Sequence, residues 1–143
     1  MYFVKYRLPA MGLIAALVVL TNSCSGIPRT DKTGPAIENI TTSSKVLAKS
    51  DCIPTSLTIT SDVTDSGGVE SVTLWYRVGQ GQDFTSTTMT RMDRNQYTAT
   101  IKALDIPGGE YGVFEFYIVA QDKTGGRTQS STDKSVELTR CVG

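Results

Sequence analysis

Val72-Thr-Leu-Trp-Tyr-Arg-Val78 alternates apolar side chains with polar or amphipathic ones through its whole length. Successive side chains of a β-strand point to opposite faces of the sheet. Val72, Leu74, Tyr76 and Val78 would then share one face, and Thr73, Trp75 and Arg77 the other. The stretch predicts a half-buried strand.

The same period runs outward in both directions. Upstream, Leu57, Ile59 and Val63 alternate with Thr58, Thr60 and Asp62, and residues 36–42 place Ile37 and Ile40 on a weaker first strand. Downstream, residues 84–92 (FTSTTMTRM) predict a polar edge strand, and Tyr97, Ala99 and Ile101 alternate with Thr98, Thr100 and Lys102. Residues 113–121 (VFEFYIVAQ) are apolar at nearly every position, as for a central strand covered on most of its length. Val136 and Leu138 mark the last strand. Turn residues separate the runs at Asp65-Ser-Gly-Gly68, Gly79-Gln-Gly81, Asp93-Arg-Asn95, Pro107-Gly-Gly109 and Thr124-Gly-Gly126. No apolar pattern of helical period holds for three turns after residue 36. The reading is an all-β domain over 36–143, a seven-stranded antiparallel β-sandwich.

The stretches Asp62-Val-Thr-Asp-Ser-Gly-Gly-Val-Glu-Ser-Val-Thr-Leu-Trp-Tyr76 and Phe116-Tyr-Ile-Val-Ala-Gln-Asp-Lys-Thr-Gly-Gly126 resemble bacterial immunoglobulin-like and fibronectin type III-like domains. Leu104-Asp-Ile-Pro-Gly-Gly-Glu-Tyr111 is similar to the approach to the tyrosine corner of such folds. The resemblance implies a fold and hardly a function. No Cys…Trp…Cys pattern joins the second and sixth runs. The tryptophan that fibronectin type III domains carry on their second strand is also absent, and Trp75 lies on the third.

The N-terminus reads as an export signal. Lys5 and Arg7 precede an apolar run from Leu8 to Leu20 broken only by Pro9 and Gly12, and Thr21-Asn-Ser-Cys24 follows. That run is short against the roughly 20 residues a membrane-spanning helix needs. Its end resembles a bacterial lipobox, which implies a signal peptide over 1–23 and lipidation of Cys24. The spacing departs from the usual pattern, since Leu20 stands four residues before the cysteine. Thr21 and Ser23 also satisfy small-x-small cleavage, so simple secretion stays open beside lipidation and an uncleaved anchor. Residues 24–35, polar with two Pro and two Gly, predict a flexible tether. The expected location is the cell envelope, lipid-anchored, with the domain facing the periplasm or the exterior.

Three cysteines are present. With Cys24 lipidated, Cys52 and Cys141 form an even set for an oxidising compartment. On the seven-strand count, the start of the second strand and the end of the last share a pole, so a Cys52–Cys141 disulfide fits without distortion. Closing a loop of about 90 residues stabilises by roughly 4 kcal/mol on the chain-entropy model.

For chemistry, the strongest signal is negative. The sequence has no histidine, which removes Ser-His-Asp and Cys-His catalysis and imidazole-based zinc sites. No phosphate loop, dinucleotide fingerprint or CxxC occurs. Lys+Arg and Asp+Glu balance at 14 each, which gives no field for nucleic acid. A glycosidase built on two carboxylates is the residual enzymatic alternative. Asp62, Asp65, Asp93 and Asp122 fall in loops of one pole and are candidate calcium ligands. Turn-capping explains the same residues and is the stronger reading. Trp75, Arg77 and Tyr117 share outward parity and form a candidate ligand face for a protein or a glycan. The expected function is a non-catalytic surface module for adhesion, binding or spacing, with no cofactor beyond that calcium ion.

Overall fold

The computed structural model describes residues 33–49, 52–107 and 111–140. The leader, Cys24, most of the tether and Cys141 lie outside these residues. The elements in chain order are β1 (Ala36–Thr42), β2 (Val46–Ala48), β3 (Ser56–Thr64), β4 (Val69–Val78), β5 (Thr85–Thr88), β6 (Thr90–Arg91), β7 (Gln96–Lys102), a 3-10 turn (Ala103–Asp105), β8 (Gly112–Asp122), β9 (Arg127–Gln129) and β10 (Asp133–Thr139). They build two sheets. One has the order β1-β3-β7-β6, the other β2-β10-β8-β4-β5, with β9 also pairing β8. Pairing is antiparallel except for β2, which runs parallel to β10.

The alternation that predicts the strands also fills the space between the sheets. Leu57, Ile59 and Val63 of β3 with Tyr97, Ala99 and Ile101 of β7 face Val72, Leu74, Tyr76 and Val78 of β4 and Phe114, Phe116 and Ile118 of β8. Five of the largest, Leu57, Ile59, Leu74, Phe114 and Phe116, are 0% exposed. Burying each is worth roughly 1.5–3 kcal/mol.

Bulges repair the places where sequence spacing breaks the period of two. Ile37 and Ile40 are three apart, which in a regular strand would put them on opposite faces. A register shift between Glu38 and Thr41, with Asn39 in the left-handed region at φ 51°, resets the phase. Both isoleucines therefore pack against the core. The same device lets Val69 and Val72 point inward together, with a shift between Val69 and Ser71.

Four details differ from the seven-run reading. Residues 84–92 are not one strand: β5 belongs to one sheet and β6 to the other, and the chain crosses between them at Met89, which is 3% exposed. β2 and β9, three residues each, are too short to show a period. β8 is less covered than its composition predicts, because Val113 is 44% exposed. Packing also begins before Ala36. Pro35 is buried, and a Cβ on Gly34 would come within 2.7 Å of the Arg127 carbonyl oxygen, so the last residues assigned to the tether are docked on β9.

Candidate functional site

The β4–β8 register sets Trp75 directly opposite Tyr117 and Arg77 opposite Glu115. All four side chains project from the face of the sheet turned away from the core. The Trp75 and Tyr117 rings lie parallel, with an interplanar angle of 7° and centroids 6.2 Å apart. Phe84, just before β5, reaches over β4 and meets the Tyr117 ring edge-on at 4.9 Å. The Arg77 guanidinium lies 4.5 Å from the Phe84 ring centroid, in cation–π contact.

Glu115 holds this group in place. Its Oε2 accepts from Arg77 Nε at 2.8 Å and from Nη2 at 2.7 Å, and its Oε1 lies 2.9 Å from Lys134 Nζ. Arg77 Nη1 donates to the Gln82 carbonyl at 3.3 Å. Although it is on the outward face, Glu115 is only 2% exposed. A carboxylate so covered needs compensation, which two cations supply. Hydrogen bonds from Lys134 and then Arg77 hold its pKa below the ordinary value, against the opposing effect of burial. The guanidinium is thereby fixed in plane and orientation, with three of its nitrogens engaged. What the face offers a ligand is ring surface, bordered by the half-exposed Lys134 ammonium.

Sequence parity brings together Trp75, Arg77 and Tyr117, and the structure places all three on this face. Phe84 and Glu115 were missed. Glu115 carried a signal: a lone carboxylate inside the apolar run 113–121, opposite an arginine on the neighbouring strand. Phe84 carried none, because its ring crosses β4 to reach its partners.

The four aspartates do not converge. Asp62 and Asp93 line an open cleft of about 370 Å³ with Glu38, Arg94 and Asn95. Asp62 accepts from Asn39 Nδ2 at 2.8 Å, and Asp93 accepts from the Arg94 amide at 2.7 Å. Asp65 instead caps its own turn through the Gly67 amide at 2.7 Å. Asp122 is 1% exposed, and its Oδ1 accepts from the Thr124 amide at 2.6 Å, Thr124 Oγ1 at 2.8 Å and the Gly126 amide at 2.9 Å. Burial alone would raise its pKa. The hydrogen bonds from Thr124, Gly126 and Gly125 prevail and lower it. Among the described residues no group of three or more His, Cys, Asp or Glu is arranged to hold a metal ion.

Cys52 lies in the segment just before β3, and Cys24 and Cys141 lie outside the described residues. Nearby, at the pole opposite the start of β1, Leu104 is 81% exposed and Ile53 89%. No family model matches the chain, and no curated protein matches it.

Proposed function

We propose that the chain is an exported, lipid-anchored envelope module with an immunoglobulin-like or fibronectin type III-like domain, non-catalytic, that binds a protein or glycan partner through the outer face of β4 and β8. The observation that carries this reading is the Trp75–Tyr117–Phe84 group, braced by Arg77 on a buried Glu115. Aromatic surface held rigid before binding loses little entropy when a ligand covers it. A buried charge network spent on fixing an outward face is hard to account for by stability alone, since an ion pair in such a place roughly breaks even against apolar packing. The division of the sheets, with the first ribbon split between β1 on one and β2 on the other, supports the immunoglobulin-like reading. A disulfide between Cys52 and Cys141 and a lipid on Cys24 belong to the same proposal.

Trp75 is the only tryptophan, so its fluorescence reports directly on this face. Titration with a panel of envelope and host glycans is expected to quench or shift its emission for at least one class, and Tyr117→Ala is expected to abolish that response. A silent panel, with protein capture that survives Trp75→Ala and Tyr117→Ala, would reject the face as the binding surface.

A further inference from the structure

Among the described residues the two sheets present five edge strands, and four of them are blunted. β1 carries a bulge with a left-handed Asn39, β6 has two residues, and β2 and β9 have three each. Such devices keep an edge from pairing with another chain. β5 is short as well, at four residues, but it has no bulge, and the segment around it, Phe84-Thr-Ser-Thr-Thr-Met-Thr90, contains no charge, no proline and no glycine; β5 pairs with β4 without a register shift.

The direction of its free backbone groups follows from the register. The Met89 amide donates to the Val72 carbonyl at 2.8 Å. Groups on an antiparallel strand alternate sides, so Thr87 and Thr85 also turn their N–H and C=O toward Leu74 and Tyr76 of β4. Ser86 and Thr88 therefore turn theirs away from the sheet, and no backbone partner among the described residues takes them up. Ser86 and Thr88 are also exposed.

We infer that β5 is a self-association edge, which pairs antiparallel with β5 of a second copy about a two-fold axis at Thr87. That axis sets Ser86 of each copy against Thr88 of the other. Each such pair exchanges two backbone hydrogen bonds and sets hydroxyl against hydroxyl, a favourable cross-strand match. The occupant is a second copy because the strand is complementary to itself in this register: small, β-prone and uncharged at every paired position. Four residues of edge bury far less than the roughly 1,200 Å² of a stable interface, so the association is expected to be weak. If the chain is lipid-anchored as proposed above, confinement to a membrane surface would raise its effective concentration.

Sedimentation equilibrium of the full-length protein in detergent, from about 10 µM to about 1 mM, tests this at the weak affinity expected of a small interface. Reversible dimerisation is expected. Ser86→Lys with Thr88→Lys puts like charges opposite one another twice, and Ser86→Glu with Thr88→Glu does the same. Each double variant is expected to be monomeric, and an equimolar mixture of the two is expected to dimerise at least as tightly as the unsubstituted chain. Thermal unfolding of each double variant confirms that it is folded. A monomer throughout the range for the unsubstituted protein overturns the inference. So does a dimer that both double variants retain, or a mixture of them that stays monomeric.

Discussion

Arg77 and Glu115 are joined across β4 and β8 by two hydrogen bonds to a single oxygen, Oε2, which leaves Oε1 for Lys134. The pair thus acts as the centre of a three-residue network rather than an isolated bridge. Arg77→Ala leaves a buried carboxylate with one cation and uncovers the Phe84 ring. The expected cost is about 1–2 kcal/mol, modest because the arginine and lysine ends reach solvent. Urea unfolding reads it directly. Arg77→Lys is expected to recover little of that loss, because an ammonium cannot bond Oε2 twice or stack flat on Phe84.

Acid should weaken the fold through named groups. Glu115 and Asp122 both have pKa values lowered in the folded protein, from reference values of 4.5 and 3.8 respectively. A lowered folded pKa means that the stabilisation is present above the unfolded value and is lost as pH falls through the folded one. Stability is therefore expected to be level above about pH 5 and to decline below about pH 4.5. In Glu115→Gln with Asp122→Asn that decline is expected to be shallower. An identical slope in the double variant would remove these groups as its source.

Gly34 and Gly126 form the seam where the chain enters the domain. A Cβ on Gly126 would strike Asp122 Oδ2 and approach the Gly34 Cα at 3.2 Å; one on Gly34 would meet the Arg127 carbonyl. Each glycine-to-alanine substitution is expected to destabilise by about 1–3 kcal/mol as an overpacking effect. Gly125→Ala offers a contrast: nothing lies within 4 Å of its Cβ, and only its φ of 91° opposes the change.

If the proposed Cys52–Cys141 disulfide closes the long loop, reduction is expected to lower the melting temperature by more than about 10 °C. Cys141→Ser and Cys52→Ser should then melt alike, and neither should respond to reductant. A Cys141→Ser variant that melts like the unsubstituted chain would place the partner of Cys52 elsewhere.

Calcium is expected to leave the melting temperature unchanged at millimolar concentration. Asp65 and Asp122 each cap their own turn through Oδ1, no group of three or more His, Cys, Asp or Glu among the described residues surrounds the buried Asp122 Oδ2, and Asp62 and Asp93 face a cleft that Arg94 also lines. An increase specific to calcium over magnesium would reverse that expectation.

The sandwich-like architecture was legible because the decisive strands are long and their inner faces uninterrupted. From Leu57 to Val63 and from Val72 to Val78 each buried position recurs at two, and tertiary packing agrees with local pattern. The failures lie where one strand's neighbours decide the outcome. Thr85 to Arg91 reads as continuous, yet Met89 must turn inward between sheets, and no local signal distinguishes an edge that stays from one that crosses. The candidate face was legible as far as parity reaches. Trp75, Arg77 and Tyr117 follow from alternation, whereas the role of Phe84 depends on a contact across a third strand. The four aspartates, Asp62 and Asp122 at strand ends and Asp65 and Asp93 in loops, share a pole, but that placement says nothing of where each carboxylate points, and capping bonds from Gly67 and Thr124 decide it for Asp65 and Asp122.

The docking of Gly34 on β9, with Pro35 buried next to it, has a mechanical consequence. Tension transmitted from an anchored N-terminus to the opposite pole would run along β1, parallel to its strand axis. The hydrogen bonds to β3 would then resist in shear, giving way together rather than opening like a zip. A domain held in this way would bear pulling forces far better than one whose first strand peels from the edge.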